Sequence, residues 1–288
     1  MTISFLKKQN NNYKLIIFPI FYIAFLVAFL IDENSTGGAY QDYTAYKGIM
    51  DLFIHDFSGT LLSFDQLGER HSPIIIILLS YLYKIELSDT LIRFIFFNFS
   101  IISIIFFYKC LKIKFKTVPS NYLFLLSLIF FLSPVFRSLS VWPDSRIIGF
   151  HFFTISVFYY LKYFHSQKKV INCYLNVIFL AIASYFSVNF CLFGIFFFYK
   201  FYKDLIKNKK LIIYLILNFV LAFPAYYYLF ILDVFFIDPG LTPGNEINSL
   251  GIKNNFNYAN KILILSSIVF FYLIPFFNYF KDYFLLKH

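Results

Sequence analysis

Carboxylates and arginines supply the chemistry available to this chain, and they are unevenly placed. Nine of the fifteen carboxylates fall between residues 32 and 89: Asp32, Glu33, Asp42, Asp51, Asp56, Asp65, Glu69, Glu86 and Asp89. There are only four arginines, Arg70, Arg93, Arg137 and Arg146, and His71 adjoins the first. A guanidinium is a rigid fork that binds phosphate or carboxylate with two bonds, whereas a lysine ammonium acts as a point charge. Four arginines on one face suit a phosphate held there. They serve equally well as salt-bridge partners for the acids, and the sequence leaves both readings open.

The elements that must position these groups are apolar helices. The chain is 60% hydrophobic and 24% aromatic, with mean hydropathy +0.70. Apolar runs near or above eighteen residues recur along it, the pattern of a polytopic helical membrane protein. The runs lack the period-two alternation of a membrane barrel. A net charge of +10 points in a soluble protein to nucleic acid. Here it fits lysine collected on cytoplasmic loops, so nucleic acid is not an expected partner. Cys110, Cys173 and Cys191 lie in or beside apolar runs without metal spacing, and read as packing residues.

Lysine clusters set the expected topology. The first run, 15–31, follows Lys7, Lys8 and Lys14 and has no small-residue cleavage site, so it reads as a retained span. The next runs are 73–85 and 91–108, and lysines return at Lys109, Lys112, Lys114 and Lys116. Two cytoplasmic clusters require an even number of crossings between them. The thirteen-residue run 73–85 is too short to cross and is expected to lie in the outer interface. The outer loop then extends from Asp32 to about Asp89. Within it Tyr46, Ile49, Met50, Phe53, Ile54 and Phe57 form a helical apolar stripe, with Lys47, Asp51 and His55 off it.

Further spans are expected at 118–136 and 147–165, as two short ones within 170–202 turning near 187–189, then at 211–232 and 262–280. The total is about eight, with both termini cytoplasmic. A second outer loop runs from 233 to 261. This arrangement puts 17 lysines inside and all four arginines outside, with 13 of the 15 carboxylates. The expected fold is thus all-α, a single integral-membrane domain over 1–288, placed in the bacterial inner membrane.

Three motifs carry a resemblance. Asp32-Glu33 or Gln41-Asp42-Tyr43 opens the first outer loop, His71-Ser72-Pro73 precedes a short hydrophobic helix, and Trp142-Pro143-Asp144-Ser145-Arg146 fills the second outer loop. In order and spacing these resemble the GT-C superfamily of integral-membrane glycosyltransferases, in the branch of the protein mannosyltransferases and the lipid A aminoarabinose transferase. The likeness covers residues 1–231, the seven-span module, followed here by a loop and one more span. Ser72 stands where that family usually has the first of two prolines.

The resemblance implies transfer of a sugar from a polyprenyl-phosphate donor to a lipid, glycan or protein acceptor at the outer face. Asp42 is the first choice for the base that takes the acceptor's proton, with Asp32 and Glu33 second. Arg70, His71, Arg137 and Arg146 are candidates for the leaving phosphate. Tyr40 and Tyr43, with Tyr46, could frame a sugar, and Asp144 could orient the acceptor or ligate a divalent ion. No close-spaced ligand set decides whether a metal takes part. The rival expectations are an O-antigen-type polysaccharide polymerase, a lipid or solute transporter, and a non-catalytic membrane scaffold. A transporter is expected to bury charge at mid-membrane or to show internal repeats with broken helices; the sequence shows no convincing repeat and the expected span centres lack charge, Asn176 and Asn218 being the nearest polar exceptions.

Overall fold

The computed structural model describes residues 12–35, 38–67, 69, 72–232 and 234. The expected final span at 262–280, the loop before it, and Lys7, Lys8, Arg70 and His71 lie outside the described residues. Those described are helical, with no strand among them. The helices are α1 (Asn12–Leu30), α2 (Gly38–His55), α3 (Phe57–Leu62), α4 (Pro73–Lys84), α5 (Asp89–Phe99) and α6 (Ile101–Lys114). There follow α7 (Ser120–Leu128), α8 (Pro134–Val141), α9 (Ser145–His165), α10 (Val170–Phe186), α11 (Leu192–Leu205) and α12 (Lys210–Tyr226).

Local chemistry sets most boundaries. Ser72 accepts a bond from the Ile74 N–H and Pro73 occupies the first turn of α4, where proline's missing donor costs nothing. The serine that departs from the Pro-Pro pattern is therefore a helix cap. Ser88 caps α5 and Ser133 caps α8 in the same way. Between α7, which ends in a 3-10 turn at Ile129–Leu132, and α8 the axis bends by 62°. Pro134 cannot continue the ladder and forces Ser133 into an extended conformation. The expected continuous helix over 118–136 is thus broken.

Long-range bonds show how the helices run. At one end Asp32, closing α1, meets Arg93 of α5, and Glu33 meets Arg137 of α8. At the other end Lys14 of α1 donates to Tyr108 of α6 (2.7 Å) and to Ser120 of α7 (2.9 Å). There too Lys116 donates to the His165 carbonyl at the close of α9 (2.8 Å). So α1, the α5–α6 pair, the bent α7–α8 pair and α9 alternate in direction between an arginine end and a lysine end. Among the described residues four helices are long and apolar enough to cross a membrane: Tyr13–Leu30, Asp89–Lys114, Ser145–His165 and Lys210–Ile231. The bent pair makes a fifth if it is one span.

The α10–α11 hairpin turns through Val188–Cys191, at the expected place. It packs close to α9 at Gly149, where an added Cβ would sit 2.8 Å from the Phe190 ring and 3.1 Å from the Ala183 carbonyl. At the lysine end the hairpin is tied to α9 by Asp204, which accepts from Lys168 (2.7 Å) and Tyr163. The α2 stripe is buried through Tyr46, Met50 and Phe53 and extends back to Ala39 and Tyr43, against α4. Phe57 falls outside it, exposed, at the start of α3.

Candidate functional site

Two corners of the chain build the site. The first is the end of α1. Asp32 has φ 52°, a left-handed conformation rare for a residue with a Cβ but tolerated by aspartate. The Glu33 N–H bonds to Ala28 O (2.9 Å) and the Asp32 N–H to Phe29 O (3.3 Å), the double bond that closes a helix on such a residue. This corner turns both carboxylates of the Asp32-Glu33 pair toward other helices.

The second corner joins α8 to α9. Trp142 leaves the helix extended ahead of Pro143, and Asp144 starts the next one by accepting the Arg146 N–H at 2.7 Å. The Trp142-Pro143-Asp144-Ser145-Arg146 motif is thus a helix stop followed by a helix start. It projects one aromatic ring, one buried carboxylate and one guanidinium from adjacent positions.

Each described arginine there meets carboxylate. Arg146 holds Asp144 with two nitrogens, Nε to Oδ1 at 2.9 Å and a terminal nitrogen to Oδ2 at 2.5 Å. The same terminal nitrogen reaches Oδ2 of Asp42 on α2 at 2.6 Å. Arg137 engages both oxygens of Glu33, at 3.1 and 3.0 Å. Arg93, 7% exposed, meets Asp32, donates to the Val141 carbonyl (3.2 Å) and lies 3.7 Å over the Trp142 ring. Trp142, the only tryptophan in the chain, donates its indole N–H to the Glu33 carbonyl at 3.1 Å.

Of the residues expected from sequence, Asp32, Glu33, Asp42, Arg137, Asp144 and Arg146 are brought together, with Tyr40 and Tyr43 against Trp142. Arg70 and His71 lie outside the described residues. Tyr40 keeps an exposed ring, while Tyr43 is buried and donates its hydroxyl to Asp89 at 2.6 Å. Burial, then the bond to Asp89, pushes the Tyr43 phenol far above its ordinary pKa, so it stays a donor. Tyr46 is also buried, and its phenol is raised by burial and then by the charge of Asp144. In this structure neither Tyr43 nor Tyr46 offers a free ring face. Among the described residues no three His, Cys, Asp or Glu side chains come together as a metal site.

Sequence reasoning passed over two members. Arg93 counted only as one of four arginines because it sits inside an apolar run. Its signal was that position itself, since an ionisable group in such a run is rarely there without a partner. Trp142 was part of a motif without a role. Outside the corner, His151, fully buried within α9, bonds Ser103 of α6 through Nδ1 at 2.5 Å, and its Nε2 has no hydrogen-bond partner.

No protein family, no curated protein and no solved structure matches this chain.

Proposed function

We propose that this chain is an integral-membrane glycosyltransferase of the GT-C kind. It moves a sugar from a polyprenyl-phosphate carrier to a lipid, glycan or protein acceptor at the membrane face where the arginines lie. The observation that carries this reading is the meeting of Asp42 with Asp144 and Arg146 across 104 residues of sequence. These are the positions at which the first and second outer loops resemble that family.

The charges suggest how the site works. Four carboxylates (Asp32, Glu33, Asp42, Asp144) surround three guanidinium groups, so an incoming phosphate gains an arginine only where a carboxylate gives way. Asp144 is fully buried, caps α9 and holds Arg146 with both oxygens. Asp42 is partly exposed and lies on a separate helix. The donor phosphate replaces Asp42 on Arg146, and Asp42 then acts as base. The acceptor oxygen attacks the anomeric carbon as its proton passes to Asp42. The bond from that carbon to the phosphate oxygen breaks, and the electron pair leaves on the phosphate, stabilised by Arg146. Arg137 and Arg93 fix the corner that carries these groups.

In the membrane, α2 to α4 lie along the outer interface. α4 has twelve residues, about 18 Å at 1.5 Å per residue, against ~30 Å of hydrocarbon. On this reading seven runs from α1 to α12 cross, the short α10 and α11 among them, and the sequence of 262–280 is long and apolar enough for an eighth.

The test is transfer from a polyprenyl-phosphate sugar by the purified chain, wild type beside Asp42→Asn. Loss of the base is expected to lower the rate by about 10²- to 10⁴-fold. An unchanged rate removes Asp42 from that role, and no transfer from any polyprenyl-linked sugar removes the glycosyltransferase reading. One observation favours a second reading, that of a transporter: the Ser103–His151 pair is buried between two apolar helices. Substrate flux into vesicles that is lost in His151→Leu, without any transfer activity in wild type, would decide for it.

A further inference from the structure

A groove that opens at the lysine end has no part in the transfer chemistry. It lies between α6, the turn after α7, and α9, with a volume of about 480 Å³, within the range of ligand clefts. Its walls include Phe107, Phe130, Phe150, Val157 and Leu161, and Lys114 stands at one end. The Thr154 hydroxyl is bonded to the Phe150 carbonyl at 2.7 Å, so this polar residue does not offer its hydroxyl to the groove.

The dimensions and charges are those of one lipid in one leaflet. From Phe150 to Leu161 is eleven residues of helix, about 16 Å at 1.5 Å per residue, or half of the ~30 Å hydrocarbon core. On α6 the lining runs from Phe107 to Lys114, the last residue of that helix, so the groove opens at the lysine end. That end is strongly cationic. Between residues 90 and 232 the only carboxylates are Asp144, at the arginine corner, and Asp204, which is paired with Lys168. Lys109, Lys112, Lys114 and Lys116 close α6, and Lys162, Lys168 and Lys169 close α9. Among the described residues Lys114 has no carboxylate partner. Basic pockets between membrane helices recognise anionic headgroups, at about 1 kcal/mol per lysine near the surface.

We propose that this groove binds a single anionic phospholipid, with an acyl chain along α9 and the headgroup phosphate on Lys114. The site is separate from the proposed catalytic corner and stands or falls without it. It rests only on the helices lying in a bilayer.

The test uses the full chain purified in detergent and titrated with dioleoyl-phosphatidylglycerol, dioleoyl-phosphatidylcholine or glycerol phosphate. Bound lipid is counted by native mass spectrometry and Tm is followed in parallel. One phosphatidylglycerol is expected to be retained, with a rise in Tm, while phosphatidylcholine is held more weakly and glycerol phosphate has no effect. Lys114→Gln is expected to weaken phosphatidylglycerol binding about fivefold, and Leu161→Trp, which fills the groove, to abolish the tightly held copy. Lys114 is exposed, so its variant keeps the test decisive should Leu161→Trp fail to fold. Equal retention of the two phospholipids overturns the assignment, as does phosphatidylglycerol binding that survives both variants.

Discussion

The two ends of the helical bundle handle positive charge in opposite ways. At the arginine end Arg93, Arg137 and Arg146 are each fixed by carboxylate, through partners 61, 104 and 104 residues away. At the lysine end the ammonium groups mostly lie over rings or cap carbonyls. Lys109 sits 4.5 Å over Phe106, Lys112 sits over Tyr108, and Lys116 reaches a backbone oxygen. Lys168–Asp204 is the carboxylate pair described there. A planar fork holds two defined bonds and stacks on an aromatic face, so it suits a fixed geometry. A flexible ammonium keeps its hydration and suits a surface that meets headgroups. The lesson is that the arginine end is a pre-organised site and the lysine end an adaptable cationic surface.

The largest expected contrast comes from removing one cation at each end. Arg93→Ala loses the Asp32 and Val141 bonds and the Trp142 stack, and should lower unfolding stability in micelles by about 2 kcal/mol. Lys109→Ala should stay within ~0.5 kcal/mol. Equal losses in the two variants would erase the distinction between the ends.

A smaller effect separates backbone strain used by the site from strain it does not use. Among the described residues Asp32 and Glu86 are the two non-glycine residues with positive φ, at 52° and 59°, and both close a helix by the same bond pattern. Glu86 is exposed, so Glu86→Gly should gain about 1 kcal/mol from relieved strain. Asp32→Gly should show no such gain, because the Arg93 bond goes with the side chain. A gain of the same size at Asp32 would mean that this ion pair contributes nothing.

The smallest expected effect is at the lysine end, in pH dependence. Burial pushes the Asp204 carboxyl upward, but bonds from Lys168 and Tyr163 outweigh it and hold the group below its ordinary value. A lowered folded pKa means that the stabilisation is complete above the unfolded aspartate's range. It is lost as pH falls through the folded value. With Lys168 largely exposed, the pair contributes under about 1 kcal/mol. Melting curves of wild type and Asp204→Asn should therefore converge in acid and differ slightly at neutral pH. A gap that widens on acidification would reverse the sign argued here.

Much of the local structure could be read from residues near one another. The stripe at Tyr46, Met50 and Phe53 marked the buried face of α2, and Ser72-Pro73 marked the start of α4. The polar break near 187–189 marked the hairpin turn. The break at Pro134 was visible but misjudged: the apolar run through 118–136 suggested continuity, and the proline's clash with the preceding turn prevailed. The buried partners of Arg93 were hidden because hydropathy registers a run's average and not the one residue that faces inward.

By itself the sequence determined that this chain is built of apolar helices, where most of them begin, and that arginine and lysine are segregated along it. Those properties depend on side chains within a turn or two of each other. Which carboxylate each arginine would take was decided only by the tertiary structure. Several acids were equally plausible for every guanidinium until the α1 corner and the α8–α9 corner met around Trp142. That meeting follows from how whole helices pack, and it is what turned scattered acidic residues into a site.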